Sequence, residues 1–229
     1  MFVVHPKVRQ KMKNQTRARR EEDKGKRREM ILNAAEKVIA KHGLKGANFG
    51  AVAKRSRLSR SLIYVYFPKR SDLIHAVCER GLLALRTRFV TAAAETKRGI
   101  DQVIAIARAY HIFSKEEPLY FSVIAELETY TIPPADQNEI ERDLTDCGKQ
   151  MLGLVATAVK IGLEDGSISP KSGDPMLSAV SIWAFTHGVI QVSTSKECML
   201  KDDLGVTATD MMEHGFGMLR QALACGRLS

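Results

Sequence analysis

The sequence predicts an all-α protein, and three observations carry that prediction. Apolar residues recur at steps of three and four in one segment after another, the period of a helix with a single buried face. No stretch sustains the two-residue alternation, bounded by hairpin turns, that strands need. Aromatic residues make up only 6% of the chain, which favours Leu/Ala/Val/Ile helix packing over a sandwich or barrel. The 229 residues, 45% hydrophobic and 27% charged, suffice for one large or two small domains with a buried core.

Taken in order, the first helix runs from about Lys26 to His42. Ile31, Ala34, Ala35, Val38 and Ile39 share one face, and Gly43 follows as a natural C-cap. A second, short helix starts at Asn48, a good N-cap, and carries Phe49, Val52 and Ala53. A third opens on Ser59, runs through Leu62, Ile63 and Tyr66, and stops at Pro68. A fourth begins at Ser71 or Asp72 and passes Leu73, Val77 and Leu82 toward Phe89. Gly99, Pro118, Pro133-Pro134, Pro170 and Pro175 then divide the remainder into segments of about 100–115, 118–130, 135–165, 174–196 and 207–225. In 135–165 the residues Ile140, Leu144, Cys147, Met151, Leu154, Ala158 and Ile161 alternate steps of four and three, the stripe of a long bundle helix. No uncharged apolar run is expected to reach the ~18 residues of a membrane span. Residues 1–28 contain no apolar h-region, so no secretory signal is expected. Four scattered cysteines, Cys78, Cys147, Cys198 and Cys225, form no CxxC pair. They fit a reducing cytosol better than a zinc ribbon or disulfide scaffold.

Charge is unevenly placed. Residues 1–73 hold 20 Lys/Arg against 6 Asp/Glu, while residues 74–229 hold 15 against 20. A basic N-terminal third on a mildly acidic remainder implies that one part meets a polyanion, with nucleic acid leading and an anionic membrane second. Residues 7–28 alone carry 11 Lys/Arg and 3 acids. They read either as a solubilising tail or as a basic arm at 1–24, disordered or fraying into an extension of the first helix.

Residues 48–67 concentrate the functional signal. Two short helices are joined by a tight turn, and the second opens on Ser59 and is lined by Arg60, Ser61, Tyr64 and Tyr66. This is a helix-turn-helix. The first helix braces across the DNA backbone, and the second fits the major groove, about 12 Å wide, with its N-terminal residues nearest the base edges. Short polar side chains allow close approach, while tyrosine hydroxyls and helix-terminal amides can meet phosphates.

Here the sequence resembles the tetracycline-repressor (TetR) family of bacterial transcriptional regulators. The resemblance covers about 25–85 and rests on Ile31-Leu32 with Ala34-Ala35, Gly43, Val52-Ala53, Leu58-Ser59, Ile63-Tyr64 and Tyr66-Phe67, then Lys69-Arg70 and Asp72-Leu73. Four positions depart from the family pattern. Arg57 stands where the turn usually has Gly, Asn48 replaces Thr, Ser61-Leu62 replaces Gly-Thr, and Arg70 replaces Lys. The Arg57 departure implies a non-glycine residue in a strained turn. The resemblance implies a three-helix DNA-binding domain at 25–85 and a larger helical domain at 86–229 that binds an effector and dimerises. It also implies a homodimeric, cytoplasmic repressor that leaves a palindromic operator when a small apolar or aromatic molecule binds.

The candidate DNA contacts are Asn48, Lys54, Arg55, Ser59, Arg60, Ser61, Tyr64, Tyr66, Lys69 and Arg70. Leu62, Ile63 and Phe67 read as core. Tyr64 and Tyr66 could equally be packing aromatics, and Lys54 and Arg55 ordinary solvated charges. Candidate effector contacts are His111, Phe113, Tyr120, Phe121, Met151, Trp183 and His187, which together supply apolar walls and polar anchors. A helical core would use the same residues. Stripes at Leu177, Val180, Trp183 and Ile190, and at Met212, Phe216, Leu219 and Leu223, suit helix pairing across a dimer. Catalytic signals are poor. Ser193 to Lys196 fits SxxK without its companion motifs, and Gly215-Phe216-Gly217 lacks a third glycine. No catalytic residue, metal or cofactor is expected. Alternatives within the class are an activator or a partner-controlled regulator. From another class comes a helical lipid- or metabolite-binding protein whose basic tail meets membranes.

Overall fold

The computed structural model describes residues 6–127, 135 and 137–225, with side chains from 21 onward. Pro133-Pro134, residues 1–5 and the side chains of the arm up to 20 lie outside the described residues. The helices are α1 (Pro6–Gly46), α2 (Phe49–Ser56), α3 (Arg60–Tyr66), α4 (Arg70–Ala94), α5 (Gly99–Glu116), α6 (Pro118–Leu127), α7 (Glu139–Glu164), α8 (Pro175–Ser195) and α9 (Ala208–Leu223). Short 3-10 and π turns occur at Pro170–Ser172 and Met199–Asp203. Among the described residues the only β pairing is an isolated bridge between Ile168 and Ala224.

Two compact units divide inside α4, between Val77 and Cys78, eight residues before the division expected from the sequence. In the first unit, α1 takes in most of the basic arm as an N-terminal extension and breaks at Gly43, whose φ of 69° and ψ of 174° leave the helical region. The face of Ile31, Leu32, Ala35 and Ile39 is buried together with Val52 of α2, Ile63 of α3 and Leu73 of α4. Side-chain caps start these short helices. Asn48 Oδ1 accepts the Ala51 N–H at 2.9 Å, Ser59 Oγ accepts the Leu62 N–H at 3.2 Å, and the Asp72 carboxylate accepts the Lys69 N–H at 2.9 Å.

In the second unit α5 is the hub, packing against α6, α7, α8 and α9. Its own N-cap residue, Arg98, makes no side-chain cap bond. The loop after α7 supplies the missing acceptors. Asp165 Oδ2 takes the Gly99 N–H at 2.8 Å, and Ser167 Oγ takes the Ile100 N–H at 3.1 Å. Hydrogen bonds from Ser167, and then from Gly99, hold the Asp165 carboxyl below the usual carboxylate range. Ion pairs Arg108–Glu213 and Arg220–Asp101 tie α9 to α5 on the outside, and both are too exposed to contribute much stability.

Two expectations change. The buried line of α7 runs Cys147, Met151, Val155, Ala158 and Gly162, while Leu154 and Ile161 are only half-buried. A strict alternation of fours and threes drifts by ~20° per heptad around a straight helix, so the buried face moves one residue along after Met151. Secondly, α8 carries no charged residue over its 21 residues and is long and apolar enough to cross a membrane. Its serines and threonines, together with His187 and Gln191, break the apolar pattern without adding charge. The helix packs against α7 and α9 within the unit.

Where α5 meets α7, a Cβ on Gly99 would stand 2.0 Å from the Gly162 backbone nitrogen. Gly99→Ala should therefore lower stability by ~1–3 kcal/mol in urea unfolding, because backbone cannot yield as a side chain can. Gly153→Ala, in α7 with open space around its Cβ, should leave stability equal or raised by ~0.4–1 kcal/mol.

Candidate functional site

The helix-turn-helix is built on caps that leave the outer face of α3 free. Ser59 is committed to the backbone, and its hydroxyl also lies 3.0 Å from that of Ser61. Ile63 and Phe67 are fully buried, whereas Leu62 and Tyr66 are half-buried. Arg60, Ser61 and Tyr64 are exposed, Tyr64 by 49%. The Tyr64 ring stands edge-on to Phe49 with centroids 4.6 Å apart, which fixes its ring and leaves the hydroxyl outward. Val65, 73% exposed beside it, belongs to the same face, although apolar character gave no hint of this in the sequence. Lys54 and Arg55 are exposed on α2, as is Lys69 before α4. Arg70 is used differently. Its guanidinium donates from Nε to the Ala47 carbonyl at 2.9 Å and also to the Leu44 carbonyl, closing the turn after α1. Asn48 is exposed and spends its side-chain oxygen on the α2 cap.

The second unit contains a cavity of about 280 Å³. One wall is the α4 stripe Cys78, Leu82, Leu85 and Phe89; others come from Ile106 and Tyr110 of α5, Met151 and Val155 of α7, and Trp183 and Thr186 of α8. Of the expected effector contacts, Met151 and Trp183 line it. The other five do not. Phe113 is fully buried beneath the Arg88 guanidinium, 5.6 Å from the ring centre, and Tyr120 packs where a Cβ on Gly81 would be. His111 faces Phe216 at 6.2 Å, and burial, with Lys115 next, lowers its pKa. Phe121 stacks on His187 at 5.5 Å. His187 stands behind the wall: Nε2 donates to Gln191 Oε1 at 2.9 Å, so Nδ1 accepts the Tyr110 hydroxyl at 2.8 Å. Burial pushes this imidazole below its ordinary pKa, with the Gln191 bond opposing, which keeps it neutral. Of the α4 stripe, Leu82 and Phe89 were read from the sequence as helix residues, Cys78 and Leu85 were not, and nothing marked any of them as a cavity wall.

The dimer stripes also divide. Ile190, Met212, Phe216, Leu219 and Leu223 are buried inside the unit, Phe216 beneath Arg108 at 4.7 Å, because α9 must cover α5 and α8. Leu177, Val180 and Met218 remain exposed, and Leu177 and Met218 share a surface groove with Phe185.

Residues 31–77 match the family model for bacterial regulatory proteins, tetR family. This segment is a tetR-family DNA-binding domain. The chain is 26% identical over 158 residues to the HTH-type transcriptional repressor SCO4008 of Streptomyces coelicolor, covering 67% of this chain and 76% of that protein. A tetR-family regulatory protein from Rhodococcus RHA1 has the same fold, with a TM-score of 0.65 at 16% identity over 88% of this chain and 99% of the other. So does a protein from Saccharomonospora viridis solved with choline, with a TM-score of 0.68 at 19% identity over 88% and 100% of the two chains.

The tetR-family domain keeps its turn despite the missing glycine. Arg57 adopts φ 58° and ψ 32°, and it is the only non-glycine residue with positive φ among the described residues. The N–H groups of Arg57 and Leu58 both reach the Ala53 carbonyl, Leu58 at 3.2 Å, so the turn combines the bond of a left-handed cap with the longer bond of a Schellman turn. A left-handed L-residue costs ~1–2 kcal/mol, partly offset by the chain entropy a glycine would lose on folding. Arg57→Gly should therefore raise stability by about 0.5–1 kcal/mol in denaturant melts, with the helix-turn-helix geometry unchanged.

Proposed function

We propose that this regulator is a homodimeric, cytoplasmic repressor that holds a palindromic operator and is released by a small molecule bound in the second unit. The observation that carries the reading is the outer face of α3. Arg60, Ser61, Tyr64 and Val65 are presented to solvent by a helix whose inner face, Ile63, is fully buried and whose first turn is fixed by Ser59. That is a rigid reading head with hydrogen-bonding groups at its N-terminal end and an apolar contact for thymine methyls beyond. Lys54, Arg55 and Lys69 supply phosphate charge around it, and the basic part of α1 adds more. Asn48, Ser59 and Arg70 position the backbone, and Tyr66 is divided between packing and contact. A relative named as a repressor and a structural neighbour holding choline support the repressor and effector parts of the reading. The reading assigns no catalytic step.

Operator selection from random duplexes, followed by fluorescence anisotropy, tests the DNA part. Arg60→Ala and Tyr64→Ala should each cost ~1–3 kcal/mol on the selected operator and far less on random duplex. Equal losses on both would reassign these residues to backbone contact. Binding to anionic vesicles with no selected duplex would instead favour a lipid-binding protein.

The dimer part rests on the exposed residues of α8 and α9. A two-fold pair reads two half-sites, about 34–36 Å apart on one face of the duplex. Leu177→Asp combined with Met218→Asp should give monomers by sedimentation, with full helicity and operator affinity reduced to near that for random duplex. A dimer that survives both changes would place the interface elsewhere.

A further inference from the structure

The cavity of the second unit contains a polar atom that the described residues leave unsatisfied. Thr186 lines it and is 4% exposed, and its Oγ1 has no hydrogen-bond partner among the described residues. Other helical threonines in this chain behave differently. Thr87, Thr145, Thr157 and Thr194 each donate to the carbonyl four residues earlier, at 2.8–3.0 Å. Thr186 makes no such bond to Ile182, although it lies in the same helix as Thr194. A buried hydroxyl without a partner is costly and rare, and in a cavity wall it points to an occupant.

The rest of the wall narrows the chemistry of that occupant. Among the described residues it is hydrocarbon and aromatic, with the sulfurs of Cys78 and Met151, and no Lys, Arg, Asp or Glu of these lines it. The Tyr110 hydroxyl at the same wall is already held by His187 Nδ1, which Gln191 fixes from behind. An ion entering here would lose its water without gaining a counter-charge. A volume of about 280 Å³ lies just below the ~300–1,000 Å³ of small-molecule sites, so the occupant is small.

We propose that the effector is an uncharged, mainly hydrocarbon molecule with one hydroxyl or carbonyl group, seated on Thr186 Oγ1. A threonine hydroxyl both donates and accepts, so either group satisfies it. The assignment rests on the cavity being the effector site.

Trp183 is the single tryptophan of the chain and lines the cavity, so its fluorescence reports occupancy directly. Titrations at neutral pH would compare 1-octanol, 2-octanone, n-octane, octanoate and choline on the parent protein, Thr186→Val and Thr186→Ser. Octanol and octanone should quench Trp183 and bind roughly 3–10-fold more weakly to Thr186→Val, the range of one hydrogen bond. Octane should bind both proteins alike, and Thr186→Ser should restore the parent's preference. Octanoate and choline should bind at least about ten-fold more weakly than octanol to every form. Thr186→Val should melt no lower than the parent, since it removes an unsatisfied hydroxyl. The same octanol-to-octane affinity ratio in the parent and Thr186→Val, tight binding of octanoate or choline, or no response of Trp183 to any probe would each overturn the proposal. Operator release, measured in parallel, separates it from the broader reading. Selective binding through Thr186 without release would leave the cavity chemistry standing and remove its role as the effector switch.

Discussion

The second unit depends on one backbone-to-backbone approach, the first turn of α5 against the last turn of α7 at Gly99 and Gly162. Because Gly99 has no side chain, α5 comes close enough for the following loop to cap it through Asp165 and Ser167, while the space a Cβ on Gly162 would need is taken by Ile168 of that loop. A helix that touches four others cannot shift alone. Its position sets where Ile106 and Tyr110 stand, and through them the shape of the cavity. The exposed ion pairs to α9 follow from that placement and do not cause it.

The DNA-facing unit is organised by a different economy. Its helices are short, α2 with 8 residues and α3 with 7, too short to persist on propensity alone. Capping side chains and a small shared core hold them instead. Several polar residues that look available for DNA in the sequence are therefore employed within the protein. Arg70 closes the turn after α1, while Asn48 and Ser59 start helices. The groups that remain outward are the ones whose neighbours anchor the helix: Arg60 and Ser61 beside the Ser59 cap, and Tyr64 beside the buried Ile63.

Local chemistry was readable from the sequence, and distant chemistry was not. Gly43, Asn48 and Ser59 act on residues within a few positions of themselves, and all three stand where capping chemistry puts them. The strain at Arg57 was legible through the family resemblance, which puts a glycine at that place in the turn. By contrast, the cap of α5 comes from 66 positions away and leaves no trace near Gly99. The cavity was legible in two of its expected seven contacts. Met151 and Trp183 line it, but Phe113, Tyr120 and Phe121 are consumed in packing, and an aromatic residue carries no mark that separates wall from core. The α9 stripe fits a partner helix wherever that helix comes from, and here it comes from the same unit. Thr186 drew no notice because a threonine in an apolar helix usually bonds its own backbone.

The left-handed Arg57 also has a meaning for how this protein can change over generations. Every one of the six arginine codons becomes a glycine codon by a single base substitution, so the turn is one step from its relaxed form. That step would surrender a cation beside the helix-turn-helix in exchange for a sturdier domain. Lineages under pressure from heat would be drawn across it, and lineages that must grip a polyanion at high salt would be held back. The residue found at this single turn is thus a readable record of which pressure has prevailed.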